Sequence, residues 1–254
     1  MFKNILNLIY TLYYLKDKIK SIEINSSNIL CFNKQLAIEG LHNSLSLEFK
    51  LKFFTIDHDK KYVSNLKSIS HSLFMNLVNL KQLKLQINLY LHPGIFSDLA
   101  NLTILCLKNS KIEQIKKGLF DGLTKIKFLN LTDCGISSID DFCFSDLCSL
   151  TDLFLSDNNF ETINKNLFVG LINLRVLHLC ECNIRNIENN SFLELGKLDT
   201  LNLSHNNLKY INVSIFNGLN ELANINLISN PIEKIDDSNI FVNLKYKTLK
   251  RKSV

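Results

Sequence analysis

Four side chains with the chemistry of metal ligands or nucleophiles lie close together in this sequence: His178, Cys180, Glu181 and Cys182. Cysteine and histidine are usual zinc ligands, but no second pair spaced C-x-x-C or H-x-x-x-H is present to complete a set of four. Cys106 and His178 would make a nucleophile and its base, yet they belong to repeats three apart, at roughly 4.8 Å per strand of a sheet. That is too far for a hydrogen bond. Phosphate-binding, dinucleotide-binding and nucleophile-elbow motifs are also missing, so we expect no catalytic residue, no metal and no cofactor.

One hydrophobic template positions these residues and most of the chain. It reads L-x-x-L-x-L-x-x-N-x-I-x-x-I-x-x-x-x-F-x-x-L and recurs, after a first step of 22 residues, at a constant step of 24. This period and leucine spacing predict a leucine-rich repeat solenoid. The expected fold is an α/β solenoid of horseshoe shape, with a parallel β-sheet on the concave face and irregular or short helical convex arms. The first template positions are Leu80, Leu102, Ile126, Leu150, Leu174, Leu198 and Leu222.

Each repeat contains an L-x-L step, such as Leu129–Leu131, whose period of 2 predicts a short strand with its leucines on one face. So short a strand is not stable alone, but strands from neighbouring repeats stack into a sheet over one continuous core. A phenylalanine closes each turn and should form a second column of apolar side chains. Its members are Phe96, Phe120, Phe144, Phe168, Phe192, Phe216 and Phe241.

The ninth template position is predicted to be a structural ladder, because its side chain must satisfy backbone groups that are buried where the strand bends away. An unpaired buried group costs about 1–3 kcal/mol. Asparagine both donates and accepts, whereas serine and cysteine replace only part of its hydrogen bonds, so we expect their turns to be weaker. The ladder residues are Asn88, Ser110, Cys134, Asn158, Cys182, Asn206 and Asn230.

The 24-residue repeat with phenylalanine near its end resembles the extracellular-type leucine-rich repeats of Toll-like receptors and related surface proteins. The resemblance covers residues 80–244, where we predict seven regular repeats. Residues 1–79 match less well and are predicted to form irregular repeats and a cap, with degenerate blocks around Ile22 and Phe54. The resemblance implies a non-enzymatic, protein-binding recognition module: the ectodomain, or a fragment of one, of an extracellular or cell-surface protein.

The two termini are less informative. Residues 245–254 are predicted to be a basic tail that carries much of the net charge of +5. The apolar stretch 5–15 is too short to span a bilayer, which takes about 20 residues, and it fits either a secretory signal or a cap on the first repeat. No other segment is apolar enough to span a membrane. Basic residues are scattered over the repeats, so nucleic acid is not expected as a partner.

The compartment is left open by the cysteines and the glycosylation motifs. Seven cysteines are an odd number and do not cluster at the ends, which also allows a reducing compartment. Six N-x-[ST] motifs are present, although the 33 asparagines and 31 serines and threonines of the chain give about four by chance. An intracellular scaffold or enzyme-regulating adaptor in the cytoplasm is therefore the alternative to a surface protein. The candidate glycosylation sites are Asn25, Asn101, Asn130, Asn189, Asn202 and Asn212.

A protein or peptide ligand would bind the concave face, where the non-leucine strand positions lie. Apolar residues at these positions in four successive repeats should form one exposed patch, and such patches usually mark contacts. Asp133, Asp157 and Glu181 follow the strands and add an acidic edge, which suits a basic partner. A glycan on Asn130 would obstruct the patch. The oligomeric state cannot be read from the sequence. The predicted partner-binding residues are Ile104, Phe128, Asp152, Phe154, Val176 and His178.

Overall fold

The computed structural model describes residues 21–25, 53–57, 74, 77–85, 90–236 and 246–248. The predicted ladder residue Asn88 and the predicted column residue Phe241 lie outside these ranges. The described strands, in chain order, are β1 (Ser21–Asn25), β2 (Phe53–Asp57), β3 (Gln82–Leu85), β4 (Ile104–Cys106), β5 (Gln114–Ile115), β6 (Phe128–Asn130), β7 (Ser138–Ile139), β8 (Asp152–Phe154), β9 (Thr162–Ile163), β10 (Val176–His178), β11 (Asn186–Ile187), β12 (Thr200–Asn202), β13 (Tyr210–Ile211), β14 (Asn224–Asn226), β15 (Lys234–Ile235) and β16 (Tyr246–Thr248).

Ten of these strands form one parallel sheet in the order β1-β2-β3-β4-β6-β8-β10-β12-β14-β16. Each repeat adds one strand in the same register, so that Leu105 lies opposite Leu129, and Leu129 opposite Leu153. The degenerate blocks also contribute strands, because Ser21 lies opposite Phe53, which in turn lies opposite Gln82. The predicted solenoid with a parallel sheet is therefore confirmed.

The strands β4, β6, β8, β10, β12 and β14 each have one buried residue between two half-exposed ones. In β6, for example, Leu129 is buried, whereas Phe128 and Asn130 are half-buried. This pattern follows from the alternation of side chains across a strand, because one face of the sheet covers the core and the other is open. We call the half-exposed side of β4, β6, β8, β10, β12 and β14 the open face.

The arms that complete each repeat are irregular. Turns predominate among the described arm residues, together with a short 3-10 helix at Val213–Phe216 and two-residue parallel pairs such as β9 with β11. Of the two arm forms expected from the sequence, irregular arms are thus the more frequent. The predicted phenylalanine column is present and buried, and neighbouring rings lie 5.7 Å apart for Phe120 and Phe144, and 5.8 Å apart for Phe168 and Phe192.

Asn158 shows why asparagine suits the ladder position. Its amide makes five hydrogen bonds within the core: Nδ2 donates to the carbonyls of Leu131, Leu155 and Ser156, and Oδ1 accepts from the backbone N–H groups of Cys134 and Ile136. Three of these partners belong to the preceding repeat. The side chain therefore fastens its own turn and the one before it at the same time.

The two buried cysteines of the ladder make fewer side-chain hydrogen bonds than Asn158 does. The thiol of Cys134 donates to the carbonyl of Leu107 at 3.0 Å. An asparagine at position 134 would accept from the N–H of Ile112 through its side-chain oxygen. In this protein that N–H instead donates to the backbone carbonyl of Cys134 at 2.9 Å. The residue after each buried ladder cysteine, Gly135 or Asn183, takes a positive φ of 63° or 60°. Both residue types tolerate this left-handed conformation.

Successive repeats are not equivalent but alternate between two types. Gly122, Gly170 and Gly218 recur every 48 residues with φ between 83° and 90°. A Cβ on Gly170 would collide with the carbonyl oxygen of Ser145 in the repeat before it, and the other two glycines are equally crowded. In the intervening repeats the same position is acidic, as Asp98, Asp146 and Glu194.

The contacts between repeats alternate as well. Two of the intervening repeats, at 126–149 and 174–197, each carry a ladder cysteine and a carboxylate that reaches back to the previous arm. Asp140 accepts from the N–H of Lys117 at 3.1 Å, and Glu188 accepts from the N–H of Lys165 at 3.0 Å. In the next repeat the equivalent residue is Asn164, which accepts instead from Asn166 in its own turn. A pair of repeats is therefore the structural unit.

One feature of the C-terminal end differs from the expected tail. Tyr246–Thr248, within the predicted basic tail, forms a strand that pairs with β14, so that Lys247 lies opposite Ile225. A strand that lies beside another gains backbone hydrogen bonds from it whatever its side chains are, which charge composition does not reveal. The other limits of the three predicted segments stay predictions.

We expect Asn158→Ala to lower the free energy of unfolding by about 3 kcal/mol, because it leaves buried backbone groups in two repeats without partners. The matched control is Asn159→Ala, which removes the same side chain from the exposed neighbouring position and should change stability by less than about 0.5 kcal/mol. Urea denaturation followed by circular dichroism measures both. Equal losses for the two variants would contradict the structural role of the ladder.

Candidate functional site

The open face carries two rows of side chains that the register of the sheet aligns. The first row contains Ile104, Phe128, Asp152 and Val176, and each residue lies directly opposite the next. The second row contains Cys106, Asn130, Phe154 and His178 in the same manner. All six predicted partner-binding residues therefore lie on this face, on four consecutive strands.

Three aromatic rings on the open face contact one another. The ring centroids of Phe128 and Phe154 are 5.1 Å apart, and those of Phe154 and His178 are 4.9 Å apart. We call these three residues the aromatic run. Phe154 lies in the middle, because it is beside His178 in the second row and diagonal to Phe128 in the first. Its members are half-buried, so ring surface remains open to a ligand.

Asp152 interrupts the apolar part of the first row, between Phe128 and Val176. Its Oδ2 accepts a hydrogen bond from the hydroxyl of Thr151 at 2.6 Å. Partial burial lowers the pKa of His178, and the negative charge of Asp152 opposes this shift without overcoming it. His178 is therefore neutral at pH 7 and does not neutralise the aspartate.

The predicted acidic edge lies at the carboxyl ends of β6, β8 and β10. Asp133, Asp157 and Glu181 are exposed and share a positive φ between 53° and 58°. The pKa of Asp157 is raised, first by partial desolvation and then by the charges of Glu181 and Asp133, while Lys108 acts in the opposite direction. Asp157 is thus close enough to Asp133 and to Glu181 to be repelled by both.

The amino ends of two of these strands carry basic residues, which the sequence reasoning overlooked. Lys127 directly precedes β6 and Arg175 directly precedes β10, and both are exposed. Because all the strands of a parallel sheet start at the same edge, these two residues lie across the sheet from the acidic edge. Aligning the repeats by residue number and comparing the residues that flank each strand would have found this charge separation.

The candidate glycosylation sites are spread over different surfaces. Asn130 and Asn202 lie on the open face, and the Oδ1 of each accepts from the N–H two residues later, at 2.9 and 3.0 Å. Asn212 caps the 3-10 helix in the same way. Asn101 donates to the carbonyl of Val78, and Asn189 is exposed on an arm. Asn25 ends β1.

The residues with metal-binding or nucleophilic chemistry are kept apart by the fold. Cys182 is buried in the ladder, while Cys180 lies near the open face, where its thiol donates to the hydroxyl of Ser156 at 3.1 Å. Cys106 and His178 occupy the same row with two strands between them. Within the described ranges, no three His, Cys, Asp or Glu side chains come together as a metal site would require.

Two family models match the chain. The "BspA type Leucine rich repeat region", in six copies, matches residues 137–253, and the "Leucine rich repeat" matches residues 89–136. The two matches join without a gap and cover the strands from β4 to β16. The chain is a leucine-rich repeat protein.

The relatives of this leucine-rich repeat protein include Toll-like receptors. Toll-like receptor 5 of Mus musculus is 38% identical over 77 residues, which are 30% of this chain and 9% of that receptor. The crystal structure of a TLR13–ssRNA13 complex aligns with a TM-score of 0.73 and 27% identity over 93% of this chain and 32% of that one. The crystal structure of the mouse RP105/MD-1 complex aligns with a TM-score of 0.63 and 26% identity over 78% of this chain and 33% of that one.

These comparisons relate the repeats to Toll-like receptor ectodomains. The chain spans 9% of the length of the curated relative and about a third of the two solved chains. None of the described helices has the length and apolar character that a membrane crossing demands.

The structure predicts two classes of thiol in the leucine-rich repeat protein. Cys134, Cys143 and Cys182 are buried, and burial raises the pKa of each to about 12. At pH 8, iodoacetamide should therefore alkylate these three only after denaturation in urea, while the more accessible thiols Cys106, Cys148 and Cys180 react in the folded protein. Peptide mass spectrometry measures the difference. Equal labelling of both classes in the folded protein would refute it.

The same three buried thiols make the stability of the fold depend on pH at high pH. Their pKa values in the folded protein lie above the usual 9.0, so the neutral form is the one that the fold favours. This contribution to stability is complete below pH 9 and is lost as the pH rises towards 12.

Proposed function

We propose that this leucine-rich repeat protein is a non-enzymatic recognition module that binds a protein or peptide on its open face. The observation that carries the proposal is the aromatic run, which places three contacting rings on a face where the repeat template needs no apolar side chain. The residues at the inward template positions form the leucine core, the ladder and the phenylalanine column. Exposed aromatic clusters of this kind are the usual anchors of protein interfaces.

The relatives support binding as the task of the fold. Two of the similar structures are complexes, one with ssRNA13 and one with MD-1. For this chain a nucleic acid is the less suitable partner, because Asp133, Asp152, Asp157 and Glu181 would repel a phosphate backbone. The Toll-like receptor relatives favour an extracellular or cell-surface location as part of a larger protein.

The alternative is an intracellular scaffold or enzyme-regulating adaptor, and one observation favours it. All six cysteines in the described part of the chain are free thiols, as a reducing compartment would maintain. The recognition surface would be the same, so the two proposals differ in the compartment and not in the binding site.

Glycosylation and binding compete on the open face. Asn130 lies directly opposite Phe154 in the second row. A glycan there would cover the aromatic run, because its first sugar would leave from a side chain next to the central ring. The proposed surface therefore requires that Asn130 remain unmodified, whereas Asn189, on an arm, is free to carry a glycan.

We expect Phe154→Ala to weaken peptide binding by about tenfold or more, the cost of removing a central aromatic anchor. The probes are peptides selected from a random displayed library against the 254-residue chain, with affinities measured by fluorescence anisotropy. Phe142→Ala is the matched control, because Phe142 is an exposed phenylalanine on an arm. If the selected peptides bind the Phe154 variant as tightly as the wild type, the open face is not the binding surface.

The compartment is tested on the protein from its native cells. Treatment with an endoglycosidase that removes N-linked glycans should reduce its mass, and peptide mapping should find Asn130 unmodified. A glycan at Asn130 would contradict binding at the aromatic run. An unchanged mass, with every cysteine alkylated in urea without prior reduction, would instead favour the intracellular scaffold.

A further inference from the structure

Four carboxylates at the open face have no cationic partner among the described residues. The ion pairs that the structure contains elsewhere join Lys111 to Glu113, Lys116 to Asp140, Arg185 to Glu161, Lys209 to Glu233, and Lys234 to Asp236. None of them includes Asp133, Asp152, Asp157 or Glu181. The five ion pairs therefore lie away from the open face, and none of them lies beside the aromatic run.

The nearest groups do not compensate for this negative charge. His178 is neutral at pH 7, because burial outweighs the effect of Asp152 on its pKa. Lys108 acts on Asp157, but the desolvation of Asp157 and its two acidic neighbours act more strongly. A cation from outside the chain would relieve this repulsion.

The aromatic run adds a second group that attracts cations, beside the unpaired carboxylates. An aromatic ring attracts a cation over its face, and Phe154 has a ring on either side of it and the carboxylate of Asp152 on the same strand. Oδ2 of Asp152 accepts from Thr151, while Oδ1 has no hydrogen bond within the described ranges. Arginine fits both parts, because its planar guanidinium stacks on rings and also donates to carboxylates.

We propose that the partner is a protein segment that places an arginine on the aromatic run, stacked on Phe154 and paired with Asp152, with further basic residues along the acidic edge. This inference rests on the proposed function, because it assigns the partner class of the same surface. Charge complementarity and exposed ring surface at one place are the two observations that carry it.

The opposite edge of the sheet restricts the partner further. Lys127 and Arg175 stand at the amino ends of the strands and would repel basic residues there. A uniformly polybasic segment is therefore a poor match. Apart from the arginine that pairs with Asp152, the partner must keep its basic residues on the side of Asp157 and neutral or acidic residues on the side of Lys127. The position of its charges, and not its net charge, determines recognition.

The test uses a synthetic peptide with one central arginine between leucines and two arginines at one end, together with a copy in which the central arginine is citrulline. Citrulline keeps the planar shape but removes the charge. The arginine peptide should bind the 254-residue chain at least about tenfold more tightly in fluorescence anisotropy at physiological salt. In Asp152→Asn the preference for the arginine peptide should shrink, because the carboxylate partner of the charge is gone and only the contact with the ring of Phe154 remains.

A pair of triple variants controls for net charge. The variant D133N/D157N/E181Q removes the acidic edge and should weaken binding of the arginine peptide by about tenfold. The variant E113Q/E161Q/E233Q removes the same charge from exposed flank positions and should leave the affinity within about twofold. Equal weakening by both would overturn the inference in favour of non-specific attraction.

The remaining outcomes separate the two proposals. If both peptides bind with equal affinity and Phe154→Ala weakens both, the arginine anchor is wrong while binding at the open face stands. Failure of both peptides to bind also overturns the arginine anchor. The proposed function itself fails only if peptides selected from the displayed library are insensitive to Phe154→Ala.

Discussion

The structure depends on one constraint: no repeat can bury its own apolar side chains or pair its own buried backbone. A three-residue strand has too few contacts to be stable, and the turn that follows it exposes polar groups to the core. Asn158 resolves both problems at once, because its five hydrogen bonds reach into its own turn and into the one before. Stability is therefore a property of neighbouring repeats and not of any one of them.

Because the contacts between repeats are made inside the core, the repeat template does not fix the residues on the open face. The template leucines, ladder residues and column phenylalanines fill the core, so the half-exposed positions of the strands are free of packing in the core. Here they hold an aromatic run, an unpaired aspartate and two edges of opposite charge. A surface with such distinct chemistry on an otherwise repetitive frame is what a specific binding protein requires.

Much of the frame follows from the sequence alone, and much of the site does not. The leucine spacing predicted the strands, their register and the buried side of each, because a fixed period leaves a single way to stack the repeats. The register then placed Phe128, Asp152, Phe154 and His178 on adjacent strands. Ring contacts, the single hydrogen bond of Asp152 and the repulsion at Asp157 depend on side-chain rotamers and burial, which no spacing determines. The basic residues at the amino ends of the strands, Lys127 and Arg175, lie outside the hydrophobic template, so the leucine spacing does not reveal them.

The alternation of two repeat types was also missed, since the template treats all repeats as equal. Because the two types alternate, the loss or gain of repeats affects the contacts between neighbouring repeats. Loss of one repeat would set two repeats of like type side by side: crowded glycines would meet the wrong carbonyls, and Asp140 or Glu188 would lose the backbone it caps. Loss or gain of 48 residues would instead keep the two repeat types alternating. The chain is thus expected to vary between relatives in even numbers of repeats, which also keeps the spacing of any binding surface in steps of two strands.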